Sequence, residues 1–440
     1  MSKIEVDQVD PQSGTTLTLG TSGDTVSIPS GVTLANAGTV TGIPASAIDS
    51  GTMATARLGT GTADSTTFLR GDQTFASATP ADNSITTAQL AYNPNPFRNI
   101  IINGDMSLAQ RSTSVTGITG GGYNTLDRWN IDLSSLGTWT MSQSTDVPSG
   151  YGFATSLKLD CTTADASPAA SNRFLLEEKF EGQNLQYLKK GTSNAESLTA
   201  SFWVKSTKTG TFIAGLYDVD NNRNVSKSYT VSDSNTWEFK TVTFPGDTSG
   251  ALDNDNAASL SLQFWLAAGT DFTSGTLATS WAANDNTERA VGQVNIADNT
   301  ANDFFITGTQ LEAGTTASDF EFLPVDVNLQ RCYRYYEVTV SGNTKVFAIA
   351  TAYTASGATG VINFKTTKRA TPTLDAVTGS DYYEFFRAGT TPEFSSFVIG
   401  DASVNLCYIT GTSSISTTAG YSGYLQTNNP SSFIAFDSEL

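Results

Sequence analysis

The sequence predicts an all-β chain in three parts: a low-complexity N-terminal stalk, a central jelly-roll β-sandwich and a smaller C-terminal β domain. Three observations predict it. Apolar residues recur with period two in short runs bounded by Gly, Asn and Asp. Convincing helical spacing is confined to one stretch near Asn328 to Tyr336, with a short helix also expected at 80–91. The composition changes sharply at Pro96, where aromatic residues begin. With 440 residues, the chain is long enough for two to four domains at roughly 100–200 residues each.

Residues 1–96 are dominated by Thr, Ser, Gly and Ala, with brief alternations such as Leu17-Thr18-Leu19 and Val26-Ser27-Ile28. Such a segment cannot close a core alone. It is either a Gly/Ser/Thr linker or a stalk ordered by several copies wrapping together, because small side chains let chains approach closely. From Phe97 to about residue 327, Trp129, Trp139, Tyr151 and Phe153 supply core, and strands are expected at 157–161, 198–204, 210–217, 237–244, 259–266 and 303–311. Many short strands between turn signals indicate an antiparallel sandwich, and the length of this part indicates a jelly roll. Residues 328–440 read as strands again, at 345–350, 360–364 and 404–409.

Charge and composition exclude whole classes of function. The chain carries 42 acidic against 24 basic side chains, a net charge of -18, so nucleic-acid backbones and anionic membranes are repelled. By segment the balance is 3 basic to 8 acidic residues in 1–96, 14 to 26 in 97–327 and 7 to 8 in 328–440, which puts the acidity on the sandwich. There is no histidine, so Ser-His-Asp and Cys-His catalysis and histidine metal sites are out. Cys161, Cys332 and Cys407 are far apart and read as buried free thiols. The start shows no apolar signal region, no run approaches a membrane span, and Gly120-Gly121-Gly122 lacks the context of a phosphate loop.

Residues 42–52, followed by Ala56-Arg57-Leu58-Gly59-Thr60-Gly61-Thr62 and Phe68-Leu69-Arg70-Gly71-Asp72, are similar to a fibre-shaft repeat of bacteriophage tail-fibre proteins in which a strand pair precedes a tight turn, and that turn accounts for the Arg-Gly-Asp tripeptide. Asn99-Ile100-Ile101-Ile102-Asn103-Gly104-Asp105 with Leu126-Asp127-Arg128-Trp129 resembles the opening of a carbohydrate-binding-module-like jelly roll of phage fibres. Thr309-Gln310-Leu311-Glu312-Ala313-Gly314, Leu329-Gln330-Arg331-Cys332-Tyr333 and the closing Phe433-Ile434-Ala435-Phe436 resemble its later parts. The resemblance implies an intertwined homotrimeric virion protein, a tail appendage joined to a tail or baseplate protein by its N-terminal segment. Such a fibre binds a host surface polysaccharide without catalysis. A purely structural head fibre or tail-decorating spacer, and a carboxylate-dependent depolymerase tailspike, are the rival readings.

Sugar binding needs flat aromatic faces beside planar polar groups on an exposed surface. Trp203, Trp237 and Trp265 lie within strands and read as core, whereas Trp281 sits in a loop-like context. Tyr382, Tyr383, Phe386 and Arg387 cluster between turn residues in the C-terminal domain, and either glycan contact or packing between subunits explains them. No metal is required, but calcium would suit the alternating carboxylates of Asp218 and Asp220 and of Asp253 and Asp255, which otherwise form solvated turns. Glu177, Glu178 and Glu181 read as a partly solvated strand edge rather than a hydrolytic pair.

Overall fold

The computed structural model describes residues 6–7, 9–33, 35, 37–39, 58, 60, 62, 67–71, 73–77, 97–411 and 415–440. The expected helix at 80–91 and the shaft-like residues 42–52 lie outside the described residues.

Residues 1–84 form one unit. In it, strands β1 (Thr67–Leu69) and β2 (Phe75–Ser77) pair antiparallel. The turn joins them instead of following a strand pair: Arg70 and Thr74 hydrogen-bond across it, and Gln73 takes a φ of 63°. Among the described residues 6–33 there is no helix or strand, and Leu19, Val26 and Val32 are exposed.

Among its described residues, the second unit holds two main hydrophobic cores and two small satellite clusters. The first is enclosed by strands β3 (Ser114–Tyr123), β4 (Asn130–Ser144), β5 (Ser156–Thr163), β6 (Arg173–Glu181), β7 (Leu198–Ser206) and β8 (Gly210–Asp218). Strands β9 (Arg223–Val231), β10 (Glu238–Phe244), β11 (Ala258–Ala268), β12 (Ala282–Ala283) and β13 (Asp303–Ala313) complete it. The order β10-β7-β13-β5-β4-β6-β11-β8-β9-β12 is antiparallel throughout, with β3 added to β4. Strand β4 is the corner. Its first half pairs with β6 and its second half with β5, so one strand passes between the two layers of the sandwich. The bend falls at Ser135 and Gly137, with φ of 53° and 73°, and a Cβ at Gly137 would lie 2.2 Å from the Thr163 carbonyl oxygen.

Period-two alternation builds the core between the layers. On β11, Leu260, Leu262 and Phe264 point inward, and Trp129 and Trp139 are fully buried beside Phe264 and Phe174. Trp203 and Trp237, expected in the core, are only half-buried: Trp203 packs between Tyr151 and Phe239 on the outer face of the β7 layer, at 4.2 and 5.4 Å between ring centres.

Besides the one-turn helix α1 (Thr270–Thr273), the described residues hold one longer helix, α2 (Val325–Tyr333), which leads out of the sandwich and begins directly after Pro324, earlier than the sequence pattern suggests. The second core lies under strands β14 (Tyr336–Ser341), β15 (Val346–Thr354), β16 (Gly357–Asn363), β17 (Thr373–Val377) and β18 (Tyr383–Phe386). With them are β19 (Glu393–Phe394), β20 (Phe397–Gly400), β21 (Leu406–Gly411), β22 (Ser422–Thr427) and β23 (Phe433–Asp437). They make a three-stranded sheet, β14-β23-β17, and a seven-stranded one, β19-β18-β22-β15-β16-β21-β20. All three cysteines are buried and free, and burial pushes the Cys161 and Cys407 thiols up to about 11.

Candidate functional site

The outward face of the layer β4-β6-β11-β8-β9 is hollowed into a groove of about 390 Å³. Its floor follows from strand alternation: if Leu260, Leu262 and Phe264 face the core, Ser261 and Gln263 must face outward. Gln263 is opposite Glu177 of β6 on one side and Gly215 of β8 on the other, and Ser261 is opposite Lys179 and Tyr217. Asp132 of β4 and Arg173 of β6 close one side, while a loop bearing Asn286 and Arg289 overhangs the other.

These side chains are held by one another. Glu177 accepts hydrogen bonds from Asn130 and Gln263 at 3.0 and 2.9 Å, with Lys179 at 3.3 Å. The Arg289 guanidinium donates to the Gln263 side-chain oxygen at 2.6 Å and to that of Asn286 at 3.3 Å, and lies 4.7 Å from the centre of the Tyr217 ring. Gly215 contributes no side chain to the floor that Arg289 crosses. Burial draws Arg289 below the ordinary guanidinium value, although it remains protonated at neutral pH. Arg173 is tied to Asp132 at 2.7 Å.

Polar groups with nothing to bond to complete the picture. Ser261 is buried on the groove floor and its hydroxyl has no partner among the described residues. Asn224 of β9, opposite Tyr217, is buried with both amide atoms unpartnered. Both side chains are buried within the layer, Ser261 under the groove and Asn224 outside its lining, so they are unmet bonding capacity inside the fold rather than groups a ligand touches.

The residues expected from sequence fall elsewhere. Trp281 is half-buried against the sandwich core, its indole N–H donating to the Pro245 carbonyl at 2.7 Å, and Lys190 lies 5.0 Å from its ring. Tyr383 is fully buried: its hydroxyl donates to the Val377 carbonyl, and its ring packs against Phe394 and Phe397, so it offers a ligand no face. Tyr382 packs on the same core. Phe386 and Arg387 do reach the surface, with Phe386 stacked on Tyr424 at 4.9 Å and Arg387 over Tyr421 at 4.8 Å. Within β18, alternation turns Tyr383 and Phe385 inward and Phe386 outward, while Tyr382 and Arg387, just outside the strand, are each partly buried.

The expected carboxylates do not converge either. Asp218 is fully buried and bonded to Lys190 at 2.5 Å and to Asn221, Asp220 caps the Asp253 amide, and Asp255 caps the Ala257 amide. Among the described residues no group of three acidic, cysteine or histidine side chains gathers to hold a metal. Glu177, Glu178 and Glu181 are buried rather than at a strand edge, since β6 runs between β4 and β11. Tyr217, Gln263 and Arg289 were not singled out by sequence reasoning. The signal for two of them was present: large planar or hydroxylic side chains at the outward positions of otherwise apolar strands.

No family model matches the chain, and no curated protein matches it. Among solved structures it is similar to the enzymatically active domain of bacteriophage CBA120 tailspike protein 4, at 14% identity and a TM-score of 0.27, over 52% of this chain and 23% of that one. It is also similar to the TmCBM61 module in complex with β-1,4-galactotriose, at 10% identity over 49% of this chain and 99% of that one, with a TM-score of 0.26. The C-terminal family 22 carbohydrate-binding module of Clostridium thermocellum Xyn10B aligns at 13% identity over 48% and 99% of the two chains, with a TM-score of 0.24. The match spans about a quarter of the tailspike chain. At these scores the likeness assigns no function.

Proposed function

We propose that the chain is a glycan-binding fibre protein of a phage virion. It projects from the tail and holds a host surface polysaccharide in the groove of its sandwich without cutting it. The observation that carries the reading is the groove itself. It presents an aromatic side chain, Tyr217, beside planar amide, carboxylate and guanidinium groups. The groove floor lies on strands rather than loops, so it is rigid and loses little entropy on binding. The virion role, the attachment to a tail or baseplate protein through residues 1–96 and the homotrimer are supported by the fibre-like sequence stretches. Exposed Leu19, Val26 and Val32 in a segment that cannot bury them within one chain fit wrapped copies. Three grooves on one particle appendage would act together and multiply a weak affinity.

The test is adsorption of the purified protein to host cells and to their extracted polysaccharide, with polymer length followed over time. Binding with unchanged polymer length is expected, and Tyr217→Ala should abolish it. Shortening of the polymer would turn the reading to a hydrolase, and binding unaffected by Tyr217→Ala would place the site elsewhere.

A further inference from the structure

This inference concerns the same groove and rests on the glycan-binding reading. The chain carries a net charge of -18, yet the side chains lining the groove include three cations, Arg173, Lys179 and Arg289, against two carboxylates, Asp132 and Glu177, with the Leu440 backbone oxygen beside Lys179. Two of the cations are matched: Arg173 by Asp132 and Lys179 by Glu177. Arg289 is the charge left over. Its guanidinium touches two neutral amide oxygens and the faces of Tyr217 and Trp265, and it forms no ion pair among the described residues.

Burial makes that charge unfavourable and Arg173 adds like-charge repulsion, and the more distant Glu177 and Asp132 carboxylates offset only part of this. An incoming carboxylate would relieve both effects, and the planar fork of a guanidinium matches the two oxygens of a carboxylate. A neutral sugar could accept the same hydrogen bonds but would leave the charge uncompensated. The overall negative charge opposes approach of a polyanion from afar, yet at physiological salt that field is screened over about 8 Å, so the local surplus governs contact.

The geometry points to a carboxylate-bearing glycan, built of uronic or sialic-type acid residues, as the ligand of the groove, with Arg289 receiving the sugar carboxylate while Tyr217 packs against the ring.

Titration calorimetry of the full chain with polygalacturonate, hyaluronate and polysialic acid, each beside its carboxyl-reduced form, tests this. At least one acidic polymer should bind about tenfold or more tightly than its reduced form. Arg289→Gln, which keeps donors but not charge, should bring the two forms within about twofold, and Arg289→Lys should retain part of the preference. The lysine variant serves should the glutamine variant melt early. The inference is overturned if none of the acidic polymers binds, if acidic and reduced forms bind alike, or if the preference survives in Arg289→Gln. Neutral polymers bound in a Tyr217-dependent manner would sink the acidic class and leave the groove reading standing. Binding indifferent to Tyr217→Ala would sink the groove reading itself.

Discussion

Arg334, just past the end of α2, grips Glu181 at the end of β6 through two parallel hydrogen bonds of 2.6 Å, and the Tyr335 hydroxyl donates to the same carboxylate at 2.6 Å. This clasp fastens the C-terminal part of the chain to the layer that carries the groove. Burial pushes the Glu181 carboxyl up, but the bonds from Arg334, Tyr335 and Gln183 outweigh it and leave it below its usual value. A carboxyl lowered in the folded state contributes stability that is present above its unfolded value and is lost as the pH falls through its folded value.

Arg334→Ala should therefore strand a buried carboxylate and lower unfolding stability by about 3 kcal/mol. Denaturant unfolding at pH 7 checks the magnitude. Repetition at progressively lower pH checks the cause, since the difference between variant and parent should shrink as the pH falls through the folded value of Glu181 and the parent takes up the proton. A difference that stays constant down to acid unfolding would mean that lost packing, not charge, is responsible.

Glu178, three residues earlier on the same strand, behaves in the opposite sense. It is fully buried, accepting from the Ile102 amide at 2.9 Å with Arg128 at 3.9 Å, and burial pushes its carboxyl up to about 8 despite the nearby guanidinium. Here the folded state holds its proton more tightly than the unfolded chain does. Stability is full below the ordinary value of about 4.5 and declines as the pH rises from there to about 8. Each pH unit in that window costs up to about 1.4 kcal/mol. Glu178→Gln, which mimics the protonated form, should flatten the fall of Tm between pH 5 and 8; an unchanged slope would assign it to another group.

The acidic turns of β8 and the loop before β11 already hold a cation of their own. Lys190 places its ammonium 2.5 Å from Asp218, 3.0 Å from Asp247 and 2.8 Å from the Gly250 carbonyl. With an ammonium in that position, a chelator should leave the Tm unchanged. Lys190→Met, by contrast, should cost about 3 kcal/mol, because the fully buried Asp218 would lose its cation while Arg223 stays with Asp247. A fall in Tm with chelator in the parent protein would show that an ion is bound after all.

Most of the strands were legible in the sequence because their alternation is local information. The runs expected at 157–161, 198–204, 303–311 and 345–350 all lie within or largely within strands. Which strands become neighbours is not local. Glu177 and Gln263 are 86 residues apart and meet only because β6 pairs with β11. The corner in β4 depends on a left-handed Ser135, for which the sequence carries no mark. The aromatic cluster at 382–387 was visible as composition, but its division into a buried Tyr383 and an exposed Phe386 required the register of β18 on β22. Arg289 was hidden for the same reason: it projects from an irregular loop and reaches Gln263 only through the fold.

The proposed trimer makes a further demand on the surface, since copies that each carry a charge of -18 repel wherever charged faces meet. The outer face of the seven-stranded C-terminal sheet answers it. Phe386 is opposite Tyr424, Tyr424 is opposite Ile349, and on the strand next to that of Ile349 Val361 is opposite Tyr408; none is charged, and Ile349 and Val361 are 74% and 52% exposed. Covering an aliphatic side chain of this kind is worth about 1.5–3 kcal/mol, and a carboxylate introduced at the same point would be desolvated opposite its own copies. Light scattering on a sizing column should give three times 46.4 kDa for the parent chain. Ile349→Asp should shift the population toward the single-chain mass while leaving far-ultraviolet circular dichroism unchanged, because the side chain touches solvent in the isolated chain. A parent protein that runs as one chain would remove the trimer. A trimer indifferent to Ile349→Asp would move the contact away from this sheet.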